Sequence, residues 1–281
     1  CMIAAWICRV PRRVHTFTGL VWPTAKGLSR KILMFTDWLT CACATHVIPE
    51  GEGVMNDLHA HITKKPMKVL GYGNVKGVDM VRFSLRPEVV LAAKSIKKED
   101  VFTFIFVGRI VGDKGMNELM ESFSKLLKEH QNIRLLLVGP YEENLDPVKE
   151  STQEIINSTP EIEAVGTVWS DELLKYYAAS DCFVFPSYRE GFPNTVMEAG
   201  AMGLPSIVTD INGSREIIEN GKNGVIIRSK DADALYETMK HMIEDKDAYN
   251  RMAANARPMI ESRFEQSYVR KCLLDFYDEI M

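Results

Sequence analysis

The C-terminal two thirds of the chain alternate short, unbroken apolar runs with longer stretches in which apolar residues recur every three or four positions. "VFTFIFVG" (101–108) and "IRLLLVG" (133–139) are continuous runs, the pattern of parallel strands buried on both faces. Between them, "MNELMESFSKLLKEH" places Leu119, Met120, Phe123, Leu126 and Leu127 at helical spacing. The alternation continues through a helix "DELLKYYAAS", a strand "CFVFPS", a helix "NTVMEAGAMG", a strand "PSIVTD", a short helix "GSREIIEN" and a strand "GVIIR". Five strands with intervening helices predict an α/β, doubly wound parallel sheet from about residue 100 onward.

Upstream the pattern is weaker. It predicts a helix over 1–9, a strand "RVHTFTG", a helix near 28–43 and strands "THVIPEG" and "PMKVLGYG", the latter half of another α/β unit. "GNVKGVDMVRFSLRPE" has the Gly, Pro and charge content of a connection. The expected division is a partial N-terminal unit over 1–80, a ligand-binding unit over 81–262, and a C-terminal helix over 263–281 that packs back toward the N-terminal unit.

Composition narrows the function classes. A chain of 281 residues that is 46% apolar can bury two cores. A formal charge of −4 gives no general attraction to nucleic acid, so no nucleic-acid partner is expected. The six cysteines (Cys1, Cys8, Cys41, Cys43, Cys182, Cys272) form no zinc-type spacing and read as reduced thiols of a cytoplasmic protein. "CMIAAWIC" lacks the charged start and small-residue cleavage site of a signal peptide. The longest later apolar run, Ile32 to Ile48, is interrupted by Asp37, three threonines and His46, and falls short of a ~20-residue membrane span.

Open sheets of this kind bind ligands beyond the carboxyl ends of their strands. After the first strand, Gly108 permits close approach of a ligand, and Arg109 and Lys114 put two cations before a helix start, which itself favours anions. This fits a diphosphate clamp; taken alone, it also fits a solvated loop. In "YREGFPNTVMEAGAMG", Pro193 and Asn194 open a helix, so the amides of Thr195 and Val196 are expected to lack intrahelical partners. Glu190 precedes that helix and Glu198 lies one turn inside it, so both are expected to face one crevice. A carboxylate accepts hydrogen bonds from two vicinal hydroxyls, which suggests one glutamate for each sugar of a nucleotide sugar. The open alternative is that Glu198 merely complements the helix start and Glu190 is loop surface. No GxGxxG follows any strand, which leaves a nicotinamide dehydrogenase the weakest contender.

"GVDMVRF", "FVGRIVGDKG", "LLLVGP" and the run from "VGTVWSDELL" to "IENGKNGVII" together resemble the nucleotide-binding half of the family-4 retaining glycosyltransferases, of the bacterial capsular or surface-polysaccharide type. The resemblance extends from about Gly73 to the C-terminus. It implies the GT-B fold, two Rossmann-like domains with parallel sheets, the N-terminal one incomplete here because fewer than 100 residues precede "FTFIFVGR". Glu190 and Glu198 match the family's paired-glutamate signature. By that match Glu190 contacts the transferred sugar as the catalytic residue and Glu198 holds the ribose hydroxyls. Gly108, Arg109 and Lys114 match the diphosphate site, while Asn194, Thr195 and Val196 match the loop-to-helix turn that holds phosphate and sugar. The base is placed loosely, near the "VGP" and "GTV" turns. Many relatives carry a histidine that reaches the donor sugar. Here Thr18 stands at that position and His15 lies three residues earlier, so no role is carried over to it.

The resemblance implies a hexose or amino-hexose donor, with uridine the favoured base, and a lipid-linked saccharide acceptor. No metal or cofactor is expected, because Arg, Lys and helix dipoles neutralise the diphosphate. Two rivals remain open: a sugar-nucleotide epimerase of the same fold, and an inactive truncated chain that only binds nucleotide sugar. "RVPRR", "KGLSRK" and Trp6, Trp22 and Trp38 combine cations with indoles, as in proteins docked at an anionic membrane surface. The same composition fits an ordinary solvated face with core tryptophans. The expected location is the cytoplasm, including the inner face of the membrane.

Overall fold

The computed structural model describes residues 1–142, 146–169 and 171–281. The N-terminal part runs α1 (Met2–Ile7), β1 (Val14–Phe17), α2 (Gly27–Cys43), β2 (His46–Pro49) and α3 (Glu52–His61), with β1 and β2 paired in parallel. An irregular connection leads to α4 (Pro87–Ala93). The C-terminal part then follows β3 (Phe102–Val107), α5 (Met116–Leu126), β4 (Ile133–Val138), α6 (Glu150–Ser158), β5 (Ile162–Gly166), α7 (Glu172–Ala178) and β6 (Cys182–Phe185). It continues through α8 (Asn194–Ala201), β7 (Ser206–Thr209), α9 (Ser214–Ile217), β8 (Gly224–Ile227), α10 (Ala232–Glu244), α11 (Lys246–Phe264) and α12 (Gln266–Ile280).

The second sheet is parallel throughout, in the order β5-β4-β3-β6-β7-β8. Its centre is fully buried, including Phe104, Ile105 and Phe106 on β3, Leu135 to Leu137 on β4 and Phe183 and Val184 on β6. This burial on both faces is why those strands read as unbroken apolar runs. From β3 the chain winds outward to β5, then returns to lay β6 on the other side of β3. The strand order therefore reverses between β3 and β6, where such sheets form their ligand crevice.

Besides the helices α4, α6, α10 and α11, which the pattern did not predict, three elements differ from the sequence-based expectation. The sheet has six strands, because "IEAVG" forms β5 at the edge. Glu163 and Ala164 there face solvent, so the segment shows no apolar run. Residues 66–70 form no strand: Pro66 has no N–H to give, and a single long bond, Lys68 N–H to the Val47 carbonyl at 3.4 Å, ties the segment to β2. "EGVMNDLHAH" is the helix α3, burying Val54 and Leu58 under the small sheet.

The C-terminal helix α12 returns to the N-terminal sheet, where Phe276 packs with Ile48 and Leu70. Arg257 on α11 donates to the carbonyls of Met80, Phe83 and Ala201, fixing the connection against the C-terminal part.

At the end of β2, Glu50 is only 6% exposed. Burial pushes its carboxyl up from 4.5 to about 7, against the lowering effect of a hydrogen bond from the Val75 N–H. The unfolded chain therefore gives up this proton at lower pH than the folded one, so the contribution of Glu50 to stability falls as pH rises from 4.5 to about 7 and is level above that. Glu50→Gln should flatten this part of the stability profile. Melting temperatures at pH 5 and pH 8 measure it, and an unchanged difference between the two in the variant would contradict the assignment.

Candidate active site

Two loops meet beyond the switch point, one after β3 and one after β6. After Gly108 and Arg109, the first makes a 3-10 turn over Gly112–Lys114 and enters α5 through Gly115 at φ 74°. A Cβ at 115 would overlap the Pro186 carbonyl, so glycine lets this turn lie against the end of β6. The second loop is tied down by the Tyr188 N–H, which donates to the Asp113 carbonyl at 2.8 Å. This docking joins the two chemistries: Lys114 Nζ donates to Glu190 Oε1, in an ion pair whose side chains are 13% and 16% exposed. Ser187 Oγ donates to the same oxygen at 2.9 Å.

A cavity of about 260 Å³ opens over this pair. Arg109, Lys114 and Arg189 line it against Asp113 and Glu190, leaving a net charge of +1 among the lining side chains. Arg109 Nη1 donates to Glu142 at 2.8 Å, and that hydrogen bond raises its pKa and holds it charged. Arg189 Nη2 pairs with Asp113 at 3.0 Å. The remaining wall comes from the N-terminal part, through Thr18, Gly19, Leu20 and Val21. There the backbones almost touch, since a Cβ on Gly191 would overlap the Thr18 carbonyl. His15 does not line the cavity. Its ring packs edge-on against Phe17 at 4.6 Å, and burial lowers its pKa.

The structure brings Arg109, Lys114 and Glu190 together, and it places Glu198 differently. Glu198 sits one turn into α8, about 6 Å along the helix from its first residue, and does not line the cavity that contains Glu190. Burial raises its carboxyl to about 7, against the opposing charges of Lys76 and Arg82. The helix start is corrected: the Val196 N–H is not free but donates to the Pro193 carbonyl at 3.2 Å. Asn194 and Thr195 are half-buried at that start, and the Asn194 Oδ1 accepts from Asn74 Nδ2 at 3.4 Å. Glu142, in the loop after β4, is the partner of Arg109. Sequence reasoning missed Asp113 and Arg189, whose pairing crosses the two loops; only adjacency to Lys114 and Glu190 marked them.

Comparison with known proteins identifies the family and the fold. The profile of the family "Glycosyl transferases group 1" matches residues 90–259. The capsular polysaccharide biosynthesis glycosyltransferase CapM of Staphylococcus aureus is 29% identical over 281 residues, covering 99% of this chain and 73% of the relative. The UDP-Gal:α-D-GlcNAc-diphosphoundecaprenol α-1,3-galactosyltransferase of Escherichia coli is 28% identical over 275 residues, covering 93% of this chain and 67% of the relative. In fold, Anabaena HepE in complex with UDP-glucose aligns with a TM-score of 0.85 at 20% identity, over 99% of this chain and 75% of that one. Sucrose-phosphate synthase from Thermosynechococcus elongatus aligns equally well, at 0.85 and 20%. The chain belongs to the group 1 glycosyltransferases and is an enzyme of that family with the α/β, parallel-sheet GT-B fold.

Proposed function

We propose that the chain transfers a hexose or amino-hexose, with retention of configuration, from a UDP-linked donor to a lipid-linked saccharide in surface polysaccharide synthesis. The observation that carries this reading is the part-buried Lys114–Glu190 pair lining a cationic cavity beside the switch point. The named substrates of the E. coli relative, a UDP-sugar and a diphosphoundecaprenol-linked sugar, support the choice of donor and acceptor class. So does the UDP-glucose bound by the structurally similar HepE.

In this reading the donor's diphosphate lies against Arg109 and Lys114, which supply the positive charge that a metal ion provides in other sites. The bond from the anomeric carbon to the phosphate oxygen breaks as the acceptor oxygen bonds to the same face of that carbon. The acceptor's hydroxyl proton passes to the departing phosphate oxygen. Positive charge grows on the anomeric carbon and negative charge on the diphosphate; Glu190 faces the first and the two cations face the second. Glu198 holds the ribose hydroxyls. With a pKa of about 7 its carboxyl can donate one hydrogen bond as well as accept others. Asn194 and Thr195 position phosphate and sugar at the start of α8.

The acceptor's lipid would require a membrane surface. Helix α1 buries none of its residues, and Trp6, Ile7, Ile32, Phe35 and Trp38 are exposed beside Arg9, Arg12, Arg30 and Lys31. Among the described residues no helix is long and apolar enough to cross a membrane. This face is read as lying on anionic lipid.

Three outcomes test the reading. Arg109→Ala and Lys114→Ala should each weaken UDP binding by about 1.5–3 kcal/mol, the scale of a charge-assisted hydrogen bond. Lys114→Ala should also lower the melting temperature, since Glu190 loses its partner; calorimetric affinities equal to the parent's would remove the clamp. Glu190→Gln should lower kcat by about 10²–10³-fold, as for loss of one preorganised electrostatic contact, while Glu198→Gln should chiefly raise the donor KM. If Glu190→Gln weakens sugar-free UDP as much as Glu198→Gln does, that division of roles is wrong. Co-sedimentation with phosphatidylglycerol vesicles should exceed that with phosphatidylcholine and fall with added salt; equal partition would argue against the docking face.

A further inference from the structure

A second cavity, of about 230 Å³, adjoins the first and shares Leu20, Arg189 and Glu190 with it. Glu190 thus stands in the wall between two cavities, and a reaction at its carboxylate can draw one participant from each. The two differ in charge. In the second, Arg189 and Arg215 face Asp57 and Glu190, so the lining side chains carry no net charge and give an anion no advantage.

What the second cavity offers is hydrogen bonding with fixed geometry. Asp57 on α3 accepts from Asn212 Nδ2 at 2.8 Å, and Arg215 at the start of α9 pairs with Asp210 at 3.2 Å. A carboxylate, an amide and a guanidinium held in this way present paired donors and acceptors, which match vicinal hydroxyls. Tyr188 lines the same wall. The volume is below the ~300–1,000 Å³ of sites for drug-sized ligands, which suits a single sugar ring. The Asp57–Asn212 bond joins the N-terminal part to the C-terminal part, so the subsite is complete only where the two parts meet.

We propose that this second cavity is the acceptor subsite and that Asp57, Asn212 and Arg215 select an uncharged terminal sugar. The inference rests on the transferase reading above. Its test is steady-state kinetics on the full chain with UDP-glucose or UDP-galactose as donor. The acceptor probes are p-nitrophenyl glycosides of N-acetylglucosamine and galactose, with the charged glucuronide beside them. An uncharged glycoside should accelerate UDP release and the glucuronide should not. Asp57→Ala and Arg215→Gln should each raise the acceptor KM about tenfold, the scale of one lost hydrogen bond, with a much smaller change in the donor KM. Arg215 is exposed, so its variant keeps the test open should Asp57→Ala fold poorly. Preference for the glucuronide, no response to any uncharged glycoside by a chain that binds the UDP-sugar, or a variant that shifts the donor KM alone would overturn the proposal. Failure to bind either UDP-sugar would instead count against the transferase reading.

Discussion

The arrangement of the site depends on one part-buried ion pair, Lys114 with Glu190. A carboxylate so poorly exposed needs a compensating charge, and the lysine that provides it comes from a different loop. The pair therefore fixes the loop after β6 against the turn after β3. The turn can come that close because position 115 is a glycine, and the Tyr188 N–H adds a backbone tie to Asp113.

The N-terminal part meets this assembly largely through main chain. Glu216, on α9, accepts from the amides of Glu52 and Gly53 at 2.7 and 3.2 Å, placing a carboxylate at the positive start of α3 across the junction. Asn74 works from the connection. Its side-chain Nδ2 donates to both Glu50 and Asn194, and its side-chain Oδ1 accepts from the amides of Lys76 and Gly77 at 2.8 and 2.7 Å. The end of β2, the connection and the start of α8 are thereby held in one network.

Much of this was legible in the sequence because the central strands are buried on both faces, and burial writes itself as uninterrupted apolar residues. The clamp candidates Arg109 and Lys114 and the glutamate Glu190 were legible because they follow strands whose ends define the crevice. The edge strand β5 was not, since half of its side chains face water. Residues 66–70 were misread because apolar content says nothing about whether a neighbouring ladder accepts their amides. The deep burial that raises the Glu198 carboxyl was also invisible: spacing fixes positions along a helix, but burial is set by how the helix packs. Likewise the Arg189–Asp113 pair and the partnership of Arg109 with Glu142 join residues far apart in the chain.

The contact at Gly191 has a wider consequence. No side chain can stand between this residue and the Thr18 carbonyl, so at this point the two halves of the site meet backbone to backbone. A side chain at 191 would force the two loops apart and carry the neighbouring Glu190 with them, changing the geometry of the site without altering a single charge.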